Sequence, residues 1–271
     1  MQRRSAIAAL LAAARRARAG ASLAPFFEGR HGAAVVLDVQ SARGVAIHDP
    51  ELASRLPLPP GSTLKPFVLA ALVESGKLRP AERWPCAGEL TIAGRSMACS
   101  HPPLAAPVDM RAAIAYSCNN FVAHFAERFA DGELPLLLAR YGVEPGPRPR
   151  DPRLLALGED GILVTLAALA EMYRRFALRA NRAALAPIVG GMEDAVEYGT
   201  AQRARVPGLR VAGKTGSVVS PDGAHRAWFA GFAPGQSPKV VVAVMLQARS
   251  GGADAAPVAG RILDAYSKGA L

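Results

Sequence analysis

Cysteine is scarce in this 271-residue chain, with three residues against 26 glycines and 22 prolines. That is too few for a disulfide-built scaffold, and no Cys/His spacing in the sequence suits a structural zinc site. No apolar run reaches about 18 residues, so a transmembrane helix of ordinary length is not expected. Lysine is rare too, and basic residues nowhere form a block or interleave with aromatics. Nucleic-acid binding is therefore not expected, despite a net charge of +10. What is present is a globular composition, 51% hydrophobic and 20% charged, richer in apolar residues than disordered chains are. At roughly 100–200 residues per domain the length fits one large domain or two small ones.

The positive charge is unevenly placed. Arg3, Arg4, Arg15, Arg16 and Arg18 put half of it in the first 22 residues, which hold no acid. The mild positive field of the remainder is compatible with an anionic cell-envelope polymer or a membrane surface. Residues 1–22 also carry features of an export signal: Arg3-Arg4, an apolar stretch from Ser5 to Ala14, and a small-x-small site at Ala17-Arg18-Ala19. The alanine-rich stretch and the Arg15-Arg16 pair count against a signal, and the alternative is an amphipathic or frayed N-terminal helix of a cytosolic protein. Residues 1–22 are set apart as a candidate signal or anchor, and residues 23–271 are expected to form a single domain.

Hydrophobic patterning places strands at both ends and helices between them. Residues 33–39 and 45–48 read as strands, and 49–60 as a Pro-rich irregular segment. Leu64, Phe67, Val68, Ala71 and Leu72 recur at helical spacing up to Gly76, predicting an amphipathic helix. Residues 110–116 read as helical. Phe121, Phe125 and Phe129 stripe a further helix, and Leu166, Leu169, Ala170, Tyr173 and Ala177 another. Strands return at 211–219 and 226–232, joined by a turn at Pro221-Asp222-Gly223, then at the almost wholly apolar run 240–246. Residues 257–266 read as a closing helix. The expectation is an α+β fold, an α/β/α sandwich. Its antiparallel sheet would be built from both chain ends (about 30–62 and 205–271) around an inserted helical subdomain (about 63–204).

Three short motifs carry chemistry. Ser62-Thr63-Leu64-Lys65 is an S-x-x-K; with Ser62 at a helix start, Lys65 lies one turn on and on the same face. A lysine kept neutral by burial and nearby positive charge can take the hydroxyl proton. Ser117-Cys118-Asn119 is an S-x-N, in which a second hydroxyl can relay a proton and an amide can hold a lysine and a substrate carbonyl. Lys214-Thr215-Gly216-Ser217 lies on an expected strand. There a cation and two hydroxyls can meet a substrate carboxylate, and Gly216 lets a ligand approach closely. Each motif alone also has a plainer explanation: a helix N-cap with a solvated lysine, a second N-cap, and a strand edge guarded by a lysine. Two of the chain's five lysines fall in these motifs, although its positive charge is otherwise carried by arginine.

In this order, S-x-x-K, S-x-N and K-T-G resemble the signature of acyl-serine enzymes that act on D-alanyl-D-alanine peptides or β-lactams. The chain further resembles the transpeptidase domain of class B penicillin-binding proteins over roughly residues 33–268. The likeness rests on Ala34–Asp38, Pro60–Phe67, Cys86 to Cys99 with Val108–Met110 and Ser117–Asn120, Leu163–Thr165, Gly199–Ala201, Gly213–Ser217 and Ala227–Phe232. It departs from the family at Gly158-Glu159-Asp160-Gly161, at Ser217 in place of a second threonine, and in showing no N-terminal pedestal before the first strand.

The resemblance implies that Ser62 attacks the carbonyl of the penultimate D-alanine and that Lys65 is the general base. Ser117, linked to Lys214, passes the proton to the departing amine, and Asn119 positions Lys65 and the substrate amide. Thr215 and Ser217 bind the terminal carboxylate beside Gly216, and the backbone N–H groups of Ser62 and Ser217 form the oxyanion hole. It implies no cofactor and no metal, peptidoglycan stem peptides as substrate, β-lactams as covalent inhibitors, and a periplasmic or otherwise extracytoplasmic location. The rival functions are a serine β-lactamase and a β-lactam or muropeptide sensor or scaffold. Glu159 is not expected to be a deacylating base, nor His101, His124 or His225 to be ligands or bases. Cys86 and Cys99 can pair as a disulfide in an oxidising compartment or remain free thiols.

Overall fold

The computed structural model describes residues 22–144, 146–220 and 222–271. The candidate signal at 1–22 lies almost entirely outside the described residues, as does Pro221 of the expected turn.

The long apolar runs at the two chain ends form the middle of one sheet. Helix α1 (Ala24–Phe27) leads into β1 (Gly32–Asp38) and β2 (Gly44–His48), and a short helix α2 (Pro50–Arg55) follows. Strands β5 (Ala212–Val219), β6 (His225–Ala233) and β7 (Val240–Leu246) come from the far end of the chain, and α10 (Ala256–Ser267) closes it. (β3 and β4 belong to a separate hairpin.) The sheet order is β2-β1-β7-β6-β5, antiparallel throughout.

Alternate residues of these strands enter two separate cores. Val35, Val241, Ala243, Trp228 and Phe232 join the core on one face, while Ala34, Val36, Val242, Val244 and Phe229 join that on the other. A sheet covered on both faces has no solvent side, so its central strands read as unbroken apolar runs rather than as alternation. Helices α1 and α10 cover the second face through Phe27, Val258 and Ile262. The result is the expected α/β/α sandwich.

Between β2 and β5 run α3 (Lys65–Glu74), the hairpin β3 (Thr91–Ile92) and β4 (Arg95–Ser96), α4 (Met110–Ala115) and α5 (Asn119–Ala126). They are followed by α6 (Glu133–Leu138), α7 (Pro152–Ala156), α8 (Leu166–Ala177) and α9 (Ala186–Glu197). Helix α3 departs from expectation: Lys65 to Leu72 are all buried, so it is a central helix enclosed on every side rather than an amphipathic one. The Pro-rich segment also holds α2, which starts because the Asp49 side chain caps the Leu52 N–H at 2.9 Å. Phe129 falls in the turn after α5 rather than within the helix.

Candidate active site

The nucleophile candidate sits on a bend that its neighbours impose. Gly61 has φ +55°, and a one-turn 3-10 helix, Gly61–Leu64, carries Ser62 directly into α3. The Gly61 N–H donates to Gly158 O at 2.9 Å, and Thr63 Oγ1 donates to Pro60 O at 2.7 Å. The buried Tyr173 hydroxyl donates to Thr63 O at 2.8 Å. Gly158 itself has φ +76°, and a Cβ there would lie 2.2 Å from Gly61 O. Left-handed backbone alone costs a non-glycine residue about 1–2 kcal/mol, and here a collision adds to it. Gly158→Ala is therefore expected to destabilise the fold by about 2 kcal/mol or more, read from urea unfolding. An unchanged midpoint would contradict the role given to this loop.

Lys65 begins α3, one turn after Ser62, and is completely buried. Its Nζ donates to Ser117 O at 2.6 Å, to Asn119 Oδ1 at 2.5 Å and to Ser117 Oγ at 3.2 Å. Burial pushes its pKa down from the ordinary 10.5 to about 8. In the neutral amine two protons suffice for the two short bonds, which leaves a lone pair to accept a third. Lys214, on β5, is also completely buried and donates to Ser117 Oγ at 2.9 Å and to Thr215 O at 3.0 Å. Burial, and then the neighbouring Lys65 charge, push its pKa well below the usual lysine range. The Ser117 hydroxyl thus stands between two lysines, each biased towards its neutral form.

Ser117 holds that position in a left-handed conformation, φ +58°, which costs a non-glycine residue roughly 1–3 kcal/mol. Asn119 caps the arrangement from the other side, its Nδ2 donating to Met97 O at 2.8 Å and Ala98 O at 3.3 Å. Thr215 Oγ1 donates to Thr200 Oγ1 at 3.2 Å, and Ser217 Oγ accepts the Gly251 N–H at 2.9 Å. Ser62, Ser117, Asn119, Thr215, Gly216 and Ser217 all line one cavity of about 380 Å³. Gly216 has a second role beside the one expected. A Cβ there would lie 2.9 Å from Pro60 O, so the glycine also lets the nucleophile bend pack closely against the strand.

The cavity wall also includes two residues with no expected role in the site. Thr200 and Glu159 both line it. Glu159 is mostly buried, is paired with Arg95 of β4 at 3.0 Å, and has its carboxyl pKa raised by burial. Thr200 lay inside Gly199-Thr-Ala201, a segment already singled out, but nothing in its residue type marked it.

Of the two alternatives left open for Cys86 and Cys99, the structure has the free thiols, with sulfurs 3.6 Å apart. His101 and Cys118 complete a group of four whose ligand atoms all lie within 4.8 Å of one another. Hairpin β3–β4 folds back onto the S-x-N turn and so brings together residues that are irregularly spaced along the chain. His124, by contrast, stacks on Trp84 with ring centroids 3.4 Å apart, and no metal-type cluster includes it or His225 among the described residues.

Comparison with known proteins agrees with this geometry. The chain is 25% identical over 275 residues to a curated Mycobacterium tuberculosis protein named peptidoglycan D,D-transpeptidase PbpA, with 78% of this chain covered. The same match is found in two strains, and the chain spans only 55% of that protein's length. A solved structure of Pseudomonas aeruginosa PBP2 in complex with WCK 5153 superposes with a TM-score of 0.77 at 21% identity. The superposition covers 90% of this chain and 72% of that one. The family model for the penicillin-binding protein transpeptidase domain matches residues 32–264, nearly everything described above. The chain therefore belongs to the penicillin-binding protein transpeptidase family.

Proposed function

We propose that this chain is a serine D,D-transpeptidase or carboxypeptidase acting on D-Ala-D-Ala stems of peptidoglycan, and that β-lactams acylate it. The observation that carries the reading is Ser117 Oγ, 3.2 Å from Lys65 Nζ and 2.9 Å from Lys214 Nζ, in the cavity that Ser62 lines. This is a proton path from one lysine, through a hydroxyl, to another. Ser62 Oγ attacks the penultimate D-alanine carbonyl and gives its proton to neutral Lys65. The bond to the terminal D-alanine nitrogen then breaks, and Ser117 delivers its proton to that leaving amine and takes the one held by Lys65, 3.2 Å away, while Lys214 holds Ser117. The acyl group passes from Ser62 to an incoming amine or to water, which restores the serine. Since Ser217 Oγ already accepts the Gly251 N–H, its own proton remains for the substrate carboxylate, and Thr215 Oγ1 is free to donate to the same carboxylate once it accepts from the Thr200 hydroxyl instead of donating to it.

The substrate class implies an extracytoplasmic location. No described helix is long and apolar enough to cross a membrane. The test of the reading is exchange. A stem peptide ending in D-Ala-D-Ala, incubated with a labelled D-amino acid, should release D-alanine and gain the label or a free carboxylate. An enzyme that acylates with penicillin yet leaves every such peptide intact would refute the assignment.

Thr215→Val tests the carboxylate clamp. Losing a hydrogen bond to a charged group costs about 1.5–3 kcal/mol, which is roughly 10- to 150-fold in acylation rate. The loss should be much smaller for a ligand whose carboxylate is esterified. Equal losses for acid and ester would show that Thr215 does not read the carboxylate.

Hydrolysis in the manner of a β-lactamase is the second reading, and the position of Glu159 in the cavity wall favours it. Under the transpeptidase reading Glu159 is the partner of Arg95, and Glu159→Gln should change the lifetime of the penicillin adduct by less than about twofold. A lifetime longer by about 100-fold, within the range of general-base catalysis, would make Glu159 the base for deacylation.

A further inference from the structure

Glu159 is the one charged side chain among the described residues that line the acylation cavity. Its side chain is only 15% exposed, and burial raises its carboxyl pKa, so its surroundings do not fully offset the negative charge. Among the described residues its carboxylate accepts one hydrogen bond, from Arg95 Nη2 to Oε2 at 3.0 Å, which leaves Oε1 for a ligand. Arg95, with its side chain 37% exposed, spends one of five N–H donors on that bond. An acid and a base thus stand side by side at the cavity, each with bonding capacity to spare.

Their place in the wall says which part of a substrate meets them. Thr200 and the Gly251 N–H surround the carboxylate clamp, bonded to Thr215 and Ser217. Arg95 instead belongs to hairpin β3–β4, whose Met97 and Ala98 carbonyls hold the Asn119 amide, and Glu159 follows Gly158, which is bonded to Gly61. A stem with its terminal carboxylate in the clamp and its penultimate carbonyl at Ser62 runs on, away from the clamp, towards this second group. Cross-linking also constrains what arrives there. Acyl transfer joins two stems of one polymer only if stems carry an amine to receive the acyl group, and a donor stem carries the same amine as an acceptor.

We propose, resting on the transpeptidase reading, that Glu159 and Arg95 form the subsite for the residue preceding D-Ala-D-Ala in the donor stem, and that this residue is a diamino dicarboxylic acid. Its side-chain ammonium donates to Glu159 Oε1, and the carboxylate on the same carbon accepts from Arg95. The ion pair and this ligand terminus are each neutral overall, so their union leaves no charge unpaired. Lysine, with an ammonium alone, would engage Glu159 and leave Arg95 without its counter-charge. Glu159 falls in the Gly158–Gly161 turn, where the chain departs from the family pattern, so the subsite is a feature of this chain rather than of the fold.

The test uses three peptides ending in D-Ala-D-Ala that differ only in the preceding residue: 2,6-diaminoheptanedioic acid, lysine or Nε-acetyl-lysine. Binding is measured by calorimetry on the Ser62→Ala chain, and D-alanine release on the unaltered chain. Affinity should fall in that order, by about 10- to 150-fold at each step, the range for a hydrogen bond to a charged group. Added to Ser62→Ala, Glu159→Gln should abolish the step between lysine and acetyl-lysine, and Arg95→Gln the step between the diacid and lysine. In the chain that keeps Ser62, release by either variant is taken relative to its own acylation by benzylpenicillin, because the Glu159 charge also raises the Lys65 pKa. If either variant fails to fold, the peptide series alone decides, since its contrasts lie in the ligand. Equal affinity for the three peptides, no measurable binding of any, or an order that survives both substitutions would overturn the subsite. Ordered binding without D-alanine release from any peptide would support the subsite and refute the transpeptidase reading; equal release from all three would do the reverse.

Discussion

Ser62→Ala will show no covalent labelling by a fluorescent penicillin, while its melting temperature stays close to that of the unaltered chain. Ser62 is the hydroxyl that the Gly61 bend presents to the cavity, one turn before the lysine that its acylation requires. The neighbouring Thr63 cannot replace it, because its Oγ1 is buried and bonded to Pro60 O at 2.7 Å. Ser117 cannot either, since its oxygen is held by both lysines. The serine side chain makes none of the contacts that fix the bend: these belong to Gly61, Thr63 and Tyr173. Labelling of the variant at the stoichiometry of the unaltered chain would remove the nucleophile assignment.

Lys65→Met should slow acylation by about 10²–10⁴-fold, the usual contribution of a positioned base. The pH dependence carries the sharper signature. With the Lys65 pKa lowered to about 8, acylation should fall tenfold for each pH unit below that value and level off above it. The methionine variant should lack this limb. The same shift has a thermodynamic sign. Between about pH 8 and 10.5 the unfolded chain holds the lysine proton and the native chain does not, so Lys65 makes the native state gain stability as pH rises through that interval. An acylation rate flat from pH 6 to 9 would contradict the base role.

Much of the frame was legible because burial on both faces leaves a plain mark. The run 240–246 is a strand with those bounds, and the closing helix was misplaced by a single residue at each end. The three motifs were legible as residue types, and folding brings them to one cavity. Helix α9 was not legible: Pro187, Gly190 and Gly191 are poor helix formers. The fold explains them, since a Cβ on Gly191 would lie 2.6 Å from Arg111 O, and Asp194 takes Arg111 in a two-pronged ion pair. Close packing against α4 outweighs propensity there. Glu159 and Thr200 reach the site from loops, so only the tertiary path places them. The Cys/His group escaped for the same reason, and Cys118 was hidden further by being the unspecified middle residue of a motif.

Time-resolved intact mass spectrometry of the chain with penicillin tests the central claim most directly. The account predicts one adduct with the full mass of the antibiotic, mapped by proteolysis to the peptide bearing Ser62 and persisting well beyond the time needed to form it. No adduct, or an adduct on another residue, would contradict the acyl-serine mechanism; rapid release of hydrolysed drug would show a β-lactamase in place of a transpeptidase.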